Sequence, residues 1–261
     1  MNTLNHEDAL ETARKIVAEA GRYALSEFGN VGVSYKSDGS MVTQTDRAIE
    51  DLIRERLAES YPDHSVLGEE EGFEGLRDAP NVWIVDPIDG TNNFFYGLPL
   101  WGVSLGLVRD NRPVVGALYM PCFDQMFTAA DGLGVFCNAH PIRVRDGHDI
   151  GPNELLTISS PSLGRWSLDI SMKPRIFGCA SFAMVSVAAG ISRALIHSSY
   201  YIWDAAAALC MMQQAGAVVT DPEGNSLQDI SRWDLKKHGP RMIAAGPQTH
   251  EIIVEKITFH E

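Results

Sequence analysis

Apolar positions in the first sixty residues recur at helical spacing. Between residues 5 and 28, Leu10, Ala13, Ile16, Val17, Ala20 and Leu25 form one stripe. Asn5 stands where an N-cap belongs, and Asp8 lies at the capping-box distance from it. A short β signal follows at Val31, Val33 and Tyr35. The pattern then predicts a second helix over 45–60, with Ala48, Ile49, Leu52, Ile53 and Leu57 on one face and Tyr61-Pro62-Asp63 ending it.

Beyond that helix the period changes. Val82-Trp83-Ile84-Val85 is a continuous apolar run of strand length, which predicts a central strand buried on both faces. Residues 103–108 and 114–119 read as a hairpin joined by Arg109-Asp110-Asn111-Arg112, and β-rich sequence continues to Val144 with a turn at Asp131-Gly132. Helices followed by antiparallel strands make this half α+β. Residues 145–153 are polar, carry Gly147, Gly151 and Pro152, and mark the best boundary. The remainder alternates, with strands at 155–158, 193–197, 217–220 and 242–245 and helices at 181–189, 204–215 and from Thr249 onward. The expected division is an N-terminal α+β lobe, residues 1–146, and a C-terminal α/β lobe, residues 147–261.

Composition narrows the setting. Of 261 residues, 45% are hydrophobic and 8% aromatic, ordinary for a soluble mixed protein. No apolar run approaches the roughly 20 residues that cross a bilayer. The stretch from Met1 to Glu11 lacks the basic and apolar regions of a secretory signal, so a cytoplasmic setting with no membrane partner is expected. Cys122, Cys137, Cys179 and Cys210 are too far apart for a CxxC motif and read as reduced thiols. The histidines form no HxxxH or HxH pair, which argues against zinc. A net charge of −13 repels nucleic acid and phosphates at long range. Recognition of a phosphate therefore calls for a locally inverted field, which bound divalent cations supply.

Three acidic clusters sit where elements begin or end: Gly68-Glu69-Glu70-Glu71-Gly72, Asp86-Pro87-Ile88-Asp89-Gly90-Thr91, and Trp203-Asp204-Ala205. In the second, Asp86 follows the buried strand, Pro87 favours a turn or first helical position, and Asp89 falls on the same side of that turn. Carboxylates so close raise one another's pKa unless a cation lies between them. Hard oxygen ligands select magnesium, manganese or calcium over zinc. Gly90 and Thr91 open a short helix whose free amides suit phosphate oxygens. Seen alone, the Asp-Pro-x-Asp-Gly run is a capped turn, the glutamates a solvated face and Asp204 a helix N-cap. Their joint occurrence beside apolar strands carries the argument.

Gly68-Glu69-Glu70, the run Trp83 to Thr91, and Trp203-Asp204-Ala205-Ala206 resemble the signatures of the inositol monophosphatase family. Lys36-Ser37-Asp38, Val42 to Asp46, Gly134 to Asn138 and Gly178-Cys179-Ala180 fall in register with it. These are magnesium-dependent, lithium-sensitive phosphatases, related to fructose-1,6-bisphosphatases, histidinol-phosphate phosphatases and nucleotide 3′-phosphatases. The resemblance implies a layered αβαβα sandwich, a homodimer, a small phosphorylated substrate, and two to three Mg2+ ions, with Mn2+ a possible replacement. Glu69, Asp86 and the Ile88 carbonyl would hold the first ion, and Asp86, Asp89 and Asp204 the second, with Glu69 helping to place a third. Glu69 and Thr91 would orient and deprotonate the attacking water, and Asp46 would fix the Thr91 hydroxyl. Asp89, Gly90, Thr91, Gly178, Cys179 and Ala180 would face the substrate, with Lys36 and Glu70 in support.

The resemblance departs at one informative place. Seven residues before the aspartate of the Trp-Asp motif, inositol monophosphatases carry a glutamate that reaches the inositol hydroxyls; here the residue is His197. A neutral imidazole can bond a hydroxyl, a protonated one can attract a second phosphate, and a strand-end histidine can do neither. Cys179 replaces a small polar residue, and Glu71 lengthens the acidic run. The expected activity is therefore hydrolysis of inositol monophosphate or a similar polyol phosphate. Histidinol phosphate, fructose 1,6-bisphosphate and 3′-phosphonucleotides stand as alternatives. A non-catalytic regulatory protein on the same fold is the contrast from another class.

Overall fold

The computed structural model describes residues 5–29, 32–35, 41–76, 79–231, 233 and 237–260. The expectations at Val31, Lys36, Ser37 and Asp38 lie outside the described residues. In chain order the first elements are α1 (His6–Glu27), β1 (Val33–Tyr35), β2 (Met41–Thr43), α2 (Gln44–Ser60), β3 (Ser65–Gly68), β4 (Gly72–Glu74), β5 (Asn81–Asp89) and α3 (Thr91–Phe95). Next come β6 (Gly102–Arg109), β7 (Arg112–Met120), β8 (Gln125–Ala130), β9 (Gly134–Cys137) and β10 (His140–Pro141). Then follow β11 (Leu155–Ile158), β12 (Trp166–Leu168), β13 (Lys173–Arg175), α4 (Ala180–Ala188), β14 (Ala194–His197) and α5 (Ile202–Gln214). The last are β15 (Val218–Thr220), β16 (Met242–Ala245), α6 (Pro247–Lys256) and β17 (Ile257–Phe259).

Burial of apolar stripes stacks these elements in five layers. Helices α1 and α2 cover one face of an eight-stranded sheet of order β10-β9-β8-β7-β6-β5-β3-β4. Helices α4 and α5 fill the space between its other face and a five-stranded sheet of order β13-β11-β14-β16-β15. Helix α6 and the β12–β17 ribbon cover the outer face of that second sheet. This is the αβαβα sandwich.

Strand β5 shows how side-chain alternation builds the layers. Trp83 and Val85 enter the core under α1 and α2, whereas Ile84 enters the core under α4 and α5. The β6–β7 hairpin turns at Asp110 and Asn111, whose φ values of 49° and 63° suit a two-residue turn between twisted strands.

Helix α5 crosses the sheet at a glycine patch. Gly106 on β6 and Gly116 on β7 are register partners. A Cβ on Gly106 would come 2.7 Å from the Ala207 nitrogen, and one on Gly116 would come 2.4 Å from the Ala207 carbonyl oxygen. Sheet and helix therefore meet backbone to backbone, and α5 is held against β6, the neighbour of β5, and against β7 beyond it.

Several sequence expectations need correction. Leu25 is 42% exposed and Ala24 is buried in its place, because the stripe 9, 13, 16, 17, 20, 24 follows the helical period more closely. Asn5 does cap α1 by accepting the Glu7 N–H, but its side-chain amide binds the Asp8 carboxylate, so no reciprocal box forms. The first sheet is not wholly antiparallel. Strand β4 turns back along the outer edge of β3, which leaves β5 to pair with β3 in parallel. The β-rich stretch stops at Pro141, and the Val144 N–H donates instead to the Ala215 carbonyl.

Gly116→Ala is expected to destabilise the protein by about 1–3 kcal/mol, since φ there is not in the left-handed region and the contact alone sets the cost. Denaturant unfolding measures it, and stability equal to that of the parent would contradict the backbone contact.

Candidate active site

Strand β5 continues past the apolar run to Asp89, so Asp86 and Pro87 lie inside the strand rather than in a following turn. An unbroken strand would send residues three apart to opposite faces. Here Asp86 pairs with Ser104 and Asp89 with Gly102, three steps on β5 against two on β6. That bulge absorbs one residue and returns both carboxylates to the α5 side of the sheet. Pro87, which has no N–H for the ladder, sits in the bulge.

The third carboxylate arrives on α5. Asp204 is the third residue of that helix, not its cap: Tyr201 occupies the cap position and donates its N–H to Asp204 Oδ2 at 2.6 Å. Oxygens of Asp86, Asp89 and Asp204 all lie within 4.8 Å of one another. Asp89 is anchored by the start of α4, where it accepts the backbone N–H groups of Ala180, at 2.9 Å, and of Ser181. The Cys179 thiol donates to the same carboxylate at 3.1 Å. A helix N-terminus is a favourable place for a negative charge. The structure thus directs Cys179 and Ala180 at Asp89. Gly178, with φ of 70°, makes the turn into α4.

Burial raises the Asp86 carboxyl well above the ordinary carboxylate range, and the charges of Glu69, Asp89 and Asp204 add to the rise. Asp204 is also pushed well up, first by burial and then by Asp89, against the opposing effect of the Tyr201 N–H. Glu69 is absent from the group within 4.8 Å but close enough to act on both carboxyls. It lies in the turn between β3 and β4.

Thr91 is the first residue of α3, after Gly90 with φ of 92°. Its hydroxyl lies 3.0 Å from the Ile88 carbonyl oxygen and 3.3 Å from Asp46 Oδ1. Asp46 is buried at the start of α2, where its other oxygen accepts the Thr43 N–H at 2.8 Å and the Thr43 hydroxyl at 2.5 Å. Capping of α2 by Thr43 therefore also fixes the group that faces Thr91.

His197 ends β14, is 4% exposed, and packs edge-on against Tyr200 at 5.3 Å. Burial pulls its imidazole down to about 4, which favours the neutral form at pH 7. Its Nδ1 has no hydrogen-bond partner among the described residues.

Glu50, Arg54, Ser181 and Tyr201 make contacts at the site and were not singled out from the sequence. Glu50 accepts the N–H groups of Glu70 and Glu71, and Arg54 holds Glu50. The available signal was an acidic residue between Ile49 and Ile53, on the face of α2 that the apolar stripe buries.

The donor set fits divalent cations. Asp86 Oδ1 is buried and receives no hydrogen bond among the described residues. A buried, unbonded carboxylate oxygen among two more carboxylates is costly unless a proton or a metal ion is shared. The all-oxygen chemistry suits magnesium or manganese. All four cysteines are free, and Cys210 is buried far from this role in the α5 core. Among the described residues no helix is long and apolar enough to cross a membrane.

Known proteins share this arrangement of sequence and fold. The sequence profile of the inositol monophosphatase family matches residues 5–261. The chain is 36% identical over 228 residues to a fructose-1,6-bisphosphatase/inositol-1-monophosphatase of Aquifex aeolicus, covering 81% of this chain and 84% of that protein. It is 32% identical over 245 residues to inositol monophosphatase 1 of Bos taurus, covering 87% and 88%. Among solved structures, the extragenic suppressor protein SuhB of Bartonella henselae matches with a TM-score of 0.83 at 29% identity, over 95% of this chain and 97% of that one. An IMPase of Thermotoga maritima matches with a TM-score of 0.82 at 26% identity, over 95% and 96%. On sequence and on fold alike, the chain belongs to the inositol monophosphatase family.

Proposed function

We propose that this protein hydrolyses small phosphate monoesters with magnesium, and that its substrate is inositol monophosphate or a similar polyol phosphate. The observation that carries the reading is the trio Asp86, Asp89 and Asp204 within 4.8 Å, one oxygen of it buried and unbonded. The names of the family and of its relatives support the phosphatase assignment.

In this reading Asp86, Asp89 and Asp204 hold the metal ions together with Glu69 and the Ile88 carbonyl. Magnesium supplies Lewis acidity there: it lowers the pKa of water and neutralises charge on the phosphoryl and leaving oxygens. Thr91, fixed by Asp46, orients the attacking water together with Glu69, whose carboxylate receives the proton. Gly90 and Thr91 offer backbone N–H groups to the phosphate. Positioning and charge neutralisation do most of the catalytic task, as in other phosphoryl transfers.

Phosphate release from inositol 1-phosphate is expected to require magnesium and to stop with chelator. Asp89→Asn is expected to lower kcat by at least about a hundredfold. No turnover of any small monoester by the parent enzyme would end the reading.

Thermal unfolding offers a second check. Folded-state pKa values of Asp86 and Asp204 lie above those of the unfolded chain. Without metal, their stabilising effect is complete below the unfolded carboxylate range and is lost as pH rises through the folded values. Magnesium compensates the ionised forms, so the Tm gain on adding it should be larger at pH 8 than at pH 5.5. An equal gain at both would count against metal binding by these groups.

His197, neutral and buried, stands where the family's glutamate reaches the inositol hydroxyls. His197→Glu is expected to change the order of preference across inositol, sugar and histidinol phosphates. An unchanged order removes His197 from substrate selection.

A further inference from the structure

The turn that carries Glu69 is held from below by a buried carboxylate. Glu50, fully buried on α2, accepts the backbone N–H of Glu70 on Oε2 at 2.8 Å and that of Glu71 on Oε1 at 3.1 Å. Arg54, one helical turn on, grips Glu50 Oε1 through Nε at 3.0 Å and Nη2 at 2.8 Å. The same Nη2 donates to the Gly72 carbonyl at 2.6 Å, and Nη1 reaches Glu74 at 3.0 Å. The turn is thus fixed in its middle and at its β4 end from one helix.

Sequence and space agree on how this clamp is admitted. Gly68 and Gly72 pair across β3 and β4, leaving Glu69, Glu70 and Glu71 as the turn. A Cβ on Gly68 would lie 2.0 Å from Glu50 Oε1 and 2.3 Å from its carboxyl carbon, so only glycine leaves room for that carboxylate. Three consecutive glutamates repel one another, and a further carboxylate beneath them raises the local negative charge. Donation by Arg54 offsets that charge, and truncating one partner would leave the other buried and unpaired. A surface hairpin has no need of such an arrangement.

We propose that Glu50 is a positioning residue for metal-dependent catalysis: by fixing the Glu70 and Glu71 amides it sets the backbone from which Glu69 reaches the carboxylate trio. Helix α2 then acts as a ruler. One turn of it presents Asp46 to Thr91, and the next presents Glu50 to the turn bearing Glu69. Both groups assigned to water activation take their places from a single rigid element, and neither Asp46 nor Glu50 touches substrate in this scheme. The inference rests on the roles given to Glu69 and Thr91 under the proposed function.

Two variants approach the clamp from opposite sides. Glu50→Gln keeps the shape but replaces an acceptor oxygen with a donor facing other donors. Gly68→Ala leaves the carboxylate chemically intact and displaces it, since the obstructing atoms are the far end of the Glu50 side chain. Leu57→Val, on the same helix and outside the site, serves as the control for lost stability. The readouts are the magnesium midpoint by isothermal titration calorimetry, kcat and KM on the substrate the parent enzyme turns over, and amide exchange at Glu70 and Glu71. Both clamp variants are expected to raise the magnesium midpoint and lower kcat by about ten- to a hundredfold. KM should change little, exchange at the two amides should quicken, and Leu57→Val should leave all four near the parent values. If either folded clamp variant keeps the magnesium midpoint and kcat of Leu57→Val, the proposal is overturned, whatever its Tm. Should Glu50→Gln not fold, Gly68→Ala decides alone. A parent enzyme with no magnesium-dependent activity would instead sink the underlying reading, so the two failures are told apart.

Discussion

Bringing ionised carboxylates together away from water is unfavourable twice over, through lost hydration and through mutual repulsion. Asp86, Asp89 and Asp204 accept both penalties, and much of the architecture around them can be understood as the means of enforcing it. Each is held in place by the elements around it. The bulge in β5 aims the first two. The start of α4 binds Asp89, and the cap of α5 binds Asp204. Burial and mutual repulsion push the Asp86 and Asp204 carboxyls well above the ordinary range, a penalty that a proton or a cation relieves.

The same logic resolves the apparent conflict between a net charge of −13 and an anionic substrate. Long-range attraction is absent, so recognition has to be local. Metal charge, helix amides and backbone N–H groups act over a few ångströms, where screening by salt is weak. In the proposed reading selectivity falls to groups set back from the metals, and His197, whose imidazole burial pulls down, would act there by hydrogen bonding.

Much of this was legible beforehand, because the informative signals were local. The apolar run at Val82 to Val85 marks a two-sided strand, the Asp110-Asn111 pair fixes a hairpin, and the acidic motifs name their chemistry by residue type alone. What was not legible depends on partners distant in sequence. Nothing within Asp86 to Asp89 reveals a bulge, since a bulge is defined by the facing strand. Parallel pairing of β3 with β5 requires knowing that β4 occupies the edge. Glu50 resembles any acidic residue on a helix until the β3–β4 turn is laid over it. Leu25 and Ala24 differ by one position, and only the full set of contacts along α1 decides between them.

The glycine patch under α5 has a further implication. Where Gly106 and Gly116 admit the backbone of Ala207, no side chain stands between helix and sheet to act as an adjustable spacer. Core residues elsewhere can be exchanged for others of different bulk, and the layers will shift slightly to suit. This crossing point cannot, so the separation of Asp204 from Asp86 is insulated from such drift. Side chains elsewhere in the core can therefore be replaced while this crossing holds Asp204 at its distance from Asp86.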